Sequence, residues 1–238
     1  MDTPEATRFY LAIRWLARQA CRLYFRNRRR GIDNVPKEGG VLVAANHASF
    51  LDPVLVGVTT ARPLRFVARR SLFRNPLFGW LIRNLNSVPI NRAGVSKETL
   101  RVVLEQLRLG RAVLIFPEGT RSPDGRLGEF RSGVVRLAQM GNVPVVPALV
   151  FGSYAAWGRK RRLPRPSRTA VAFCEPLTFE RKADADEAVK LLKESLERLA
   201  QEYVEQQGRE LLPEGYSERP ENAQETGDRV ANDVTTES

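Results

Sequence analysis

The chain has 238 residues, enough for one large α/β domain or two small ones, and its two cysteines do not suggest a disulfide framework. No uncharged apolar run reaches the ~18 residues of a membrane-spanning helix and no signal-peptide pattern is found, so we expect a protein in, or at the edge of, the cytoplasm. A formal net charge of +11 at pH 7 predicts an anionic partner: a phosphate-bearing substrate, an acidic lipid surface or a nucleic acid.

An amphipathic, cationic helix is predicted over residues 7–26. Leu11, Trp15 and Phe25 lie toward its arginine side and add more apolar surface than docking on a core requires. This favours a helix lying in a lipid interface, although packing on the rest of the domain is an equally good interpretation of the pattern. The predicted apolar face consists of Phe9, Ile13, Leu16, Ala20, Leu23 and Tyr24. The opposite, basic face carries Arg14, Arg18 and Arg22.

The only histidine of the chain, His47, lies where a predicted strand meets a predicted helix. The apolar residues 41–45 indicate a buried strand, and Pro53 suits the first turn of a helix. Imidazole titrates near neutral pH, so His47 can take a proton from an alcohol if a partner stabilises the imidazolium. Asp52 is the candidate partner, but five positions along a helix turn by about 500°, so the pairing requires a bend. Alternatively, Asp52 is a helix N-cap and His47 a polar residue at a strand end.

Strands and helices then alternate along the chain. This alternation predicts an α/β fold with a mostly parallel central sheet flanked by helices. Residues 158–168 form a cationic loop, which is either a solvated surface loop or a lipid contact. The predicted strands are 64–68, 87–90, 112–116, 143–151 and 169–173. The predicted helices are a broken one at 69–83, then 96–110 and 132–140, and a last one with the apolar face Val189, Leu192, Leu196, Leu199 and Tyr203.

A glycine turn followed by an arginine leaves the strand at 112–116. Residues 116–122 read FPEGTRS. Gly119 allows the backbone to approach an anion closely, and Arg121 can bind two phosphate oxygens at once. Open α/β sheets place their ligands at the carboxyl ends of their strands, so this is a candidate anion site. An ordinary surface turn is the alternative for this segment by itself.

With this second motif in view, the chain resembles the glycerolipid acyltransferases, in particular 1-acyl-sn-glycerol-3-phosphate acyltransferases. The resemblance covers about residues 31–176, and the motifs at 46–52 and 116–122 are specific in combination. The chain departs from the usual pattern at Arg69, where lysine is common, at Asn86, where glycine is common, and at Asn91, where aspartate is common. Four segments carry the resemblance: 46–52 (NHASFLD), 69–92 ending in VPINR, 116–122 (FPEGTRS) and 143–147 (VPVVP).

The resemblance implies that His47 is a general base oriented by Asp52, which deprotonates a glycerol hydroxyl as it attacks an acyl thioester. The expected reaction moves an acyl chain from acyl-CoA or acyl carrier protein to the sn-2 hydroxyl of 1-acyl-glycerol 3-phosphate and gives phosphatidic acid. No cofactor, metal or covalent acyl-enzyme is expected, since neither Ser49 nor Cys174 sits in a nucleophile-elbow pattern. The residues implied in binding the phosphate headgroup are Arg69, Arg92, Glu118, Gly119, Thr120 and Arg121.

We expect three parts: a membrane-associating helix at 1–30, an acyltransferase domain at 31–207 and a disordered acidic tail at 208–238. The tail holds eight acidic residues and three arginines, so the preceding residues are more basic than the whole chain. The expected location is the cytoplasmic side of a membrane, peripheral or monotopic. The expected partners are the lipid surface, the lysophospholipid acceptor and the acyl donor, with no nucleic acid.

Two alternatives to this function are open. The acceptor can instead be glycerol 3-phosphate, another lysophospholipid or a lyso-aminolipid. More distantly, the chain is a non-catalytic basic module that binds lipid or nucleic acid. The charge supports such a module, but the sequence carries no recognised nucleic-acid motif.

Overall fold

A seven-stranded sheet forms the centre of the computed structural model, which describes residues 7–90 and 97–207. The strands are β1 (Arg28–Arg30), β2 (Val41–Ala45), β3 (Leu64–Arg69), β4 (Ser87–Ile90), β5 (Ala112–Ile115), β6 (Val145–Phe151) and β7 (Ala170–Phe173). The helices are α1 (Arg8–Tyr24), α2 (Asp52–Thr59), α3 (Pro76–Asn84), α4 (Lys97–Arg108), α5 (Gly133–Gly141), α6 (Ser153–Trp157) and α7 (Ala185–Gln207), with 3₁₀ turns at Ile32–Asn34 and Arg70–Phe73.

The strand order is β1-β7-β6-β2-β5-β3-β4. Every neighbouring pair is parallel except β6 and β7, so β1 and β7 run against the other five strands. The predicted α/β fold with a mostly parallel sheet is therefore confirmed. Strand β1 lies inside the segment 1–30 that was expected to hold only the N-terminal helix, and the predicted tail at 208–238 lies outside the described residues.

Strand β2 occupies the middle of the sheet, and all five of its residues are buried. Alternate side chains of a strand point to opposite faces. Leu42 and Ala44 therefore pack in one core, against α4, α5 and α7, while Val41, Val43 and Ala45 pack in another, against α1 and α2. The predicted apolar face of the last helix belongs to the first of these cores. Helices thus cover both faces, as long parallel sheets require.

Helix α1 docks on the domain through its arginine-bearing side. Arg14 Nε donates to the Gly57 carbonyl at 3.0 Å, and Arg18 Nε donates to the Val58 carbonyl at 2.8 Å. These carbonyls belong to the end of α2, where helical carbonyls lack partners and the helix dipole is negative. Docking this way leaves an apolar face of α1 exposed. Across residues 7–90 and 97–207, no helix combines the length and apolar character needed to cross a membrane.

Asn86, which replaces a glycine common in the resembling family, has φ +63°. This left-handed conformation is easiest for glycine, and asparagine is among the few other residues that adopt it readily. Its side-chain oxygen accepts a hydrogen bond from Arg65 Nη1 at 3.0 Å. The substitution therefore keeps the turn before β4 and adds a contact to β3.

Candidate active site

The side chains of His47 and Asp52 meet at the carboxyl end of the central strand. His47 follows β2 by two residues, and Asp52 begins α2 ahead of Pro53. Residues 48–51 form the bend that the pairing requires, and His47 Nδ1 lies 2.9 Å from Asp52 Oδ2. Asp52 is fully buried, whereas the His47 side chain keeps 18% of its surface exposed. Because Asp52 accepts at Nδ1, the ring nitrogen left to take a proton from a substrate is Nε2.

The Asp52 carboxylate also organises the main chain of the bend. Its Oδ2 accepts the N–H groups of Ala48 and Ser49, both at 2.7 Å. Asp52 is thus the first residue of α2 rather than its N-cap, which is Leu51. The carboxylate accepts these two N–H groups of the bend and orients the imidazole with the same oxygen.

Asn46 extends the central sheet by one more pair of hydrogen bonds. Its side-chain oxygen accepts the Val150 N–H at 2.7 Å, and its side-chain nitrogen donates to the Val150 carbonyl at 3.2 Å. Val150 belongs to β6, so the asparagine side chain imitates a strand partner where β2 ends. The residue that precedes His47 is therefore fixed to the sheet by its side chain as well as by its backbone.

The segment 116–122 lies directly beside the His47 bend, because β5 and β2 are neighbours in the sheet. The His47 N–H donates to Glu118 Oε1 at 2.8 Å, and the His47 carbonyl accepts the Ser122 N–H at 2.7 Å. The imidazole also stacks on the Phe116 ring, with 4.0 Å between centroids and 17° between planes. The two motifs thus form one unit around His47.

Gly119 closes a tight turn at the end of β5. Its N–H donates to the Phe116 carbonyl at 3.0 Å, and its φ of +70° lies in the left-handed region that favours glycine. A Cβ at this position would lie 3.3 Å from the Arg131 guanidinium. The turn itself therefore requires a glycine; the expected contact of Gly119 with an anion stays a prediction.

Glu118 contacts the protein backbone from a buried position, with 6% of its surface exposed. Burial raises its pKa to about 7, and the nearby Asp52 charge also raises it, while the hydrogen bonds from the His47 and Gly128 backbones lower it. The resemblance implies a headgroup-binding role for Glu118. The observed contacts instead connect its carboxylate to the main chain of the candidate base.

Arg121 and Arg69 bring positive charge to the same edge of the sheet. The Arg121 guanidinium lies over the Phe50 ring, 3.5 Å from its centroid, and Arg69 ends β3 with an exposed side chain. Arg121 Nη1 is buried and, within the described residues, has no hydrogen-bond partner. Burial lowers the pKa of Arg121; the charges of Arg159 and Arg69 lower it further, and Asp52 opposes them. Arg121 therefore experiences the positive charge of both other arginines.

The two remaining residues expected to bind the headgroup are Thr120 and Arg92. Thr120 has an exposed side chain near Arg121, and Arg92 lies outside the described residues. Arg159, which the sequence motifs do not mark, adds to the positive charge that lowers the pKa of Arg121. The only sequence signal that included it was the high positive charge of residues 158–168. In the described part of the chain, no group of three His, Cys, Asp or Glu residues is placed to hold a metal ion.

The main-chain amides around His47 are already hydrogen-bonded within the protein. Those of Ala48 and Ser49 donate to Asp52, and that of His47 donates to Glu118. They are therefore not free to stabilise an oxyanion, which requires donors directed at the developing charge. The loop after Pro117 is the other group of amides near the imidazole.

A family model and individual known proteins both match this chain. The sequence model of a family described as Acyltransferase matches residues 26–150. The 1-acyl-sn-glycerol-3-phosphate acyltransferase BAT2, chloroplastic, of Brassica napus is 32% identical over 133 residues, which cover 55% of this chain and 38% of that protein. A probable 1-acyl-sn-glycerol-3-phosphate acyltransferase of Mycoplasma pneumoniae is 37% identical over 138 residues, covering 55% of this chain and 51% of that protein.

A solved structure shares the fold at greater length. The crystal structure of the 1-acyl-sn-glycerophosphate (LPA) acyltransferase PlsC from Thermotoga maritima superposes with a TM-score of 0.72 and 29% sequence identity, covering 81% of this chain and 78% of that one. The two sequence relatives above are matched over only about half of their length or less. The family model spans more than half of this chain and includes His47, Asp52, Glu118 and Arg121. The chain therefore belongs to the acyltransferase family.

Proposed function

We propose that the protein transfers an acyl chain from acyl-CoA or acyl carrier protein to the sn-2 hydroxyl of 1-acyl-glycerol 3-phosphate and so forms phosphatidic acid. The observation that carries this proposal is the 2.9 Å pairing of His47 with a buried Asp52 beside the guanidinium of Arg121. The names of the relatives support the same acceptor. An acid–base pair next to positive charge suits a hydroxyl acceptor that carries a phosphate.

The proposed mechanism uses His47 as a general base. Nε2 takes the proton of the sn-2 hydroxyl as its oxygen attacks the thioester carbonyl, and Asp52 stabilises the resulting imidazolium. The tetrahedral intermediate then expels the thiolate, which takes the proton back from the imidazolium. General-base help of this kind is worth about 10²- to 10⁴-fold in rate. Both substrates meet the base in one ternary complex, without an acyl-enzyme, a metal or a cofactor.

In the proposed acceptor complex, Arg69, Arg92, Thr120, Arg121 and the backbone at Gly119 hold the phosphate. The support is electrostatic: Arg121 has a buried, unpartnered Nη1 within the described residues and lies near Arg69. A guanidinium can bind two phosphate oxygens with parallel hydrogen bonds. Glu118 takes a different role, in which its carboxylate positions the His47 backbone.

We further propose that the enzyme works on the cytoplasmic surface of a membrane, bound peripherally or monotopically. Helix α1 exposes Trp15 and Leu23, and α3 exposes Leu77 at 77%. The rings of Phe9 and Trp80 pack 5.2 Å apart, so α1 and α3 contribute to one apolar surface. Aromatic and aliphatic side chains on such a surface suit the boundary between headgroups and acyl chains. This supports the lipid-interface interpretation of the N-terminal helix over simple packing.

The decisive assay supplies labelled acyl-CoA or acyl carrier protein with lysophosphatidic acid, glycerol 3-phosphate, other lysophospholipids and a lyso-aminolipid. We expect phosphatidic acid as the main product. We also expect His47→Ala to lower kcat by at least about 10²-fold with an unchanged circular dichroism spectrum. A main product from another acceptor would overturn the substrate assignment. Full activity of His47→Ala would overturn the mechanism.

A further inference from the structure

The loop after α6 is attached to the bend that carries His47. Ser49 Oγ donates to the Trp157 carbonyl at 2.8 Å, and the Phe50 N–H donates to the same carbonyl at 3.3 Å. Ser49 and Gly158 also form an isolated antiparallel bridge. The start of the cationic loop 158–168 is therefore held by the candidate catalytic segment rather than hanging free in solvent.

Gly158 is fitted closely against the preceding helix. A Cβ there would lie 2.7 Å from the Tyr154 carbonyl oxygen, which belongs to the main chain. Together with the bridge to Ser49, this contact sets the direction in which the chain leaves Gly158. The next residue, Arg159, thus starts from a defined position beside the bend, although its own side chain is exposed.

Phe50 connects this loop with the segment 116–122. Its ring packs against the Trp157 ring at 5.3 Å and carries the Arg121 guanidinium at 3.5 Å on a cation–π contact. Arg159 is near enough for its positive charge to act on Arg121, and Arg69 acts on Arg121 in the same way. The main chain next to Arg159 is thus fixed at the bend that carries His47, and the charges of Arg159 and Arg69 both act on Arg121.

Like charges at close range raise the free energy of the folded protein unless an anion lies between them. We propose that Arg159 is a further phosphate-binding cation of the acceptor site, beside the arginines named above, and that it makes the enzyme prefer phosphate monoester headgroups over phosphodiester ones. This inference rests on the proposed function and deepens it. A monoester carries a charge of about −1.5 to −2 at neutral pH, whereas a diester carries about −1. An additional cation in the acceptor site therefore favours the monoester.

The test compares Arg159→Gln with Arg161→Gln. Both variants remove one positive charge from an exposed position of the same loop, and Arg161 is not part of the proposed site. For Arg159→Gln we expect KM for lysophosphatidic acid to rise about tenfold with kcat within about twofold. The preference for lysophosphatidic acid over lysophosphatidylglycerol should fall by a similar factor. Arg161→Gln should leave both quantities within about twofold.

A second measurement separates this inference from the proposed function. The affinity for glycerol 3-phosphate and for inorganic phosphate, measured by calorimetry on the full chain, should fall about tenfold in Arg159→Gln and stay unchanged in Arg161→Gln. If the wild-type protein does not acylate lysophosphatidic acid, the proposed function fails, and this affinity still decides the role of Arg159. Equal effects of the two variants, in kinetics or in phosphate affinity, would overturn the inference. Equal losses of vesicle binding in the two variants would then identify the loop as a general lipid contact.

Discussion

The main-chain N–H of His47 donates to the Glu118 carboxylate across 2.8 Å, and this hydrogen bond ties the candidate base to the loop that follows β5. The imidazole ring of His47 is hydrogen-bonded to Asp52. Two buried carboxylates from different segments thus hold His47. Asp52 binds the His47 side chain, and Glu118 binds the His47 backbone. The two acids should consequently respond differently to substitution.

Replacing Asp52 with asparagine should reduce turnover more than binding. The amide oxygen is uncharged, so it accepts the hydrogen bonds that Asp52 Oδ2 accepts from His47, Ala48 and Ser49 more weakly, and it cannot stabilise an imidazolium by charge. We expect kcat to fall by at least about 10²-fold with little change in KM. The free energy of unfolding should fall by about 1–3 kcal/mol. Steady-state kinetics and urea unfolding measure the two effects; an unchanged kcat would contradict the proposed role of Asp52.

Glu118→Gln should remove a pH dependence of stability. Burial raises the pKa of Glu118 from 4.5 to about 7, so between these values the folded protein binds more protons than the unfolded chain. The neutral carboxyl is therefore favoured below pH 4.5, and its contribution is lost as the pH rises to about 7. The loss is on the order of 2–3 kcal/mol. Urea unfolding at pH 5 and pH 8 should show a smaller difference for Glu118→Gln than for the wild type.

The control for this experiment is Glu129→Gln, because Glu129 is 93% exposed at its ion pair with Lys193 and is not desolvated on folding. That variant should keep the wild-type difference between pH 5 and pH 8. If both variants behave alike, Glu118 is not the titrating group.

The single substitutions Trp15→Ser and Leu77→Ser should each weaken binding to lipid vesicles. Trp15 is exposed on α1 and Leu77 is exposed on α3, and these two helices contact each other through Phe9 and Trp80. Burying such a side chain in an apolar phase is worth about 1.5–3 kcal/mol, so each substitution should lower the partition coefficient by about tenfold or more. Sedimentation with vesicles of phosphatidylcholine and phosphatidylglycerol measures it.

Leu191→Ser is the matched control for the vesicle experiment. Leu191 is 55% exposed but belongs to α7, which packs on the opposite face of the sheet from α1. Its substitution should change vesicle binding by less than about twofold. A loss as large as that of Trp15→Ser would mean that vesicle binding depends on general hydrophobicity rather than on this surface.

Asn86→Leu should destabilise the protein by about 1–2 kcal/mol, while Asn86→Gly should change the free energy of unfolding by less than 1 kcal/mol. The reason is the φ of +63° at this position, which glycine and asparagine tolerate and a larger side chain does not. Both variants lose the hydrogen bond from Arg65 Nη1. The difference between their free energies of unfolding therefore measures the cost of the left-handed backbone conformation. Equal destabilisation would assign the effect to the hydrogen bond.

Much of the fold could be predicted from the sequence because it depends on local patterns. The apolar run before His47 indicated a buried strand, and Pro53 marked the start of a helix; both are present. The alternation of strands and helices indicated the mostly parallel sheet. The His47 motif also required a bend to pair with Asp52, and the structure contains that bend and that pair.

The sequence by itself thus determined the class of fold and placed His47 and Asp52 where a bend can pair them, because spacing and turn chemistry act between neighbouring residues. It also predicted an anion site at the turn 116–122. Only the tertiary structure decided that Glu118 binds the His47 backbone, that α1 docks through Arg14 and Arg18, and that Arg159 approaches Arg121. Each of these pairs joins residues that lie about 40 or more positions apart in the sequence. All of them depend on which strands lie side by side and which helix face packs on the sheet, and no local pattern encodes that choice.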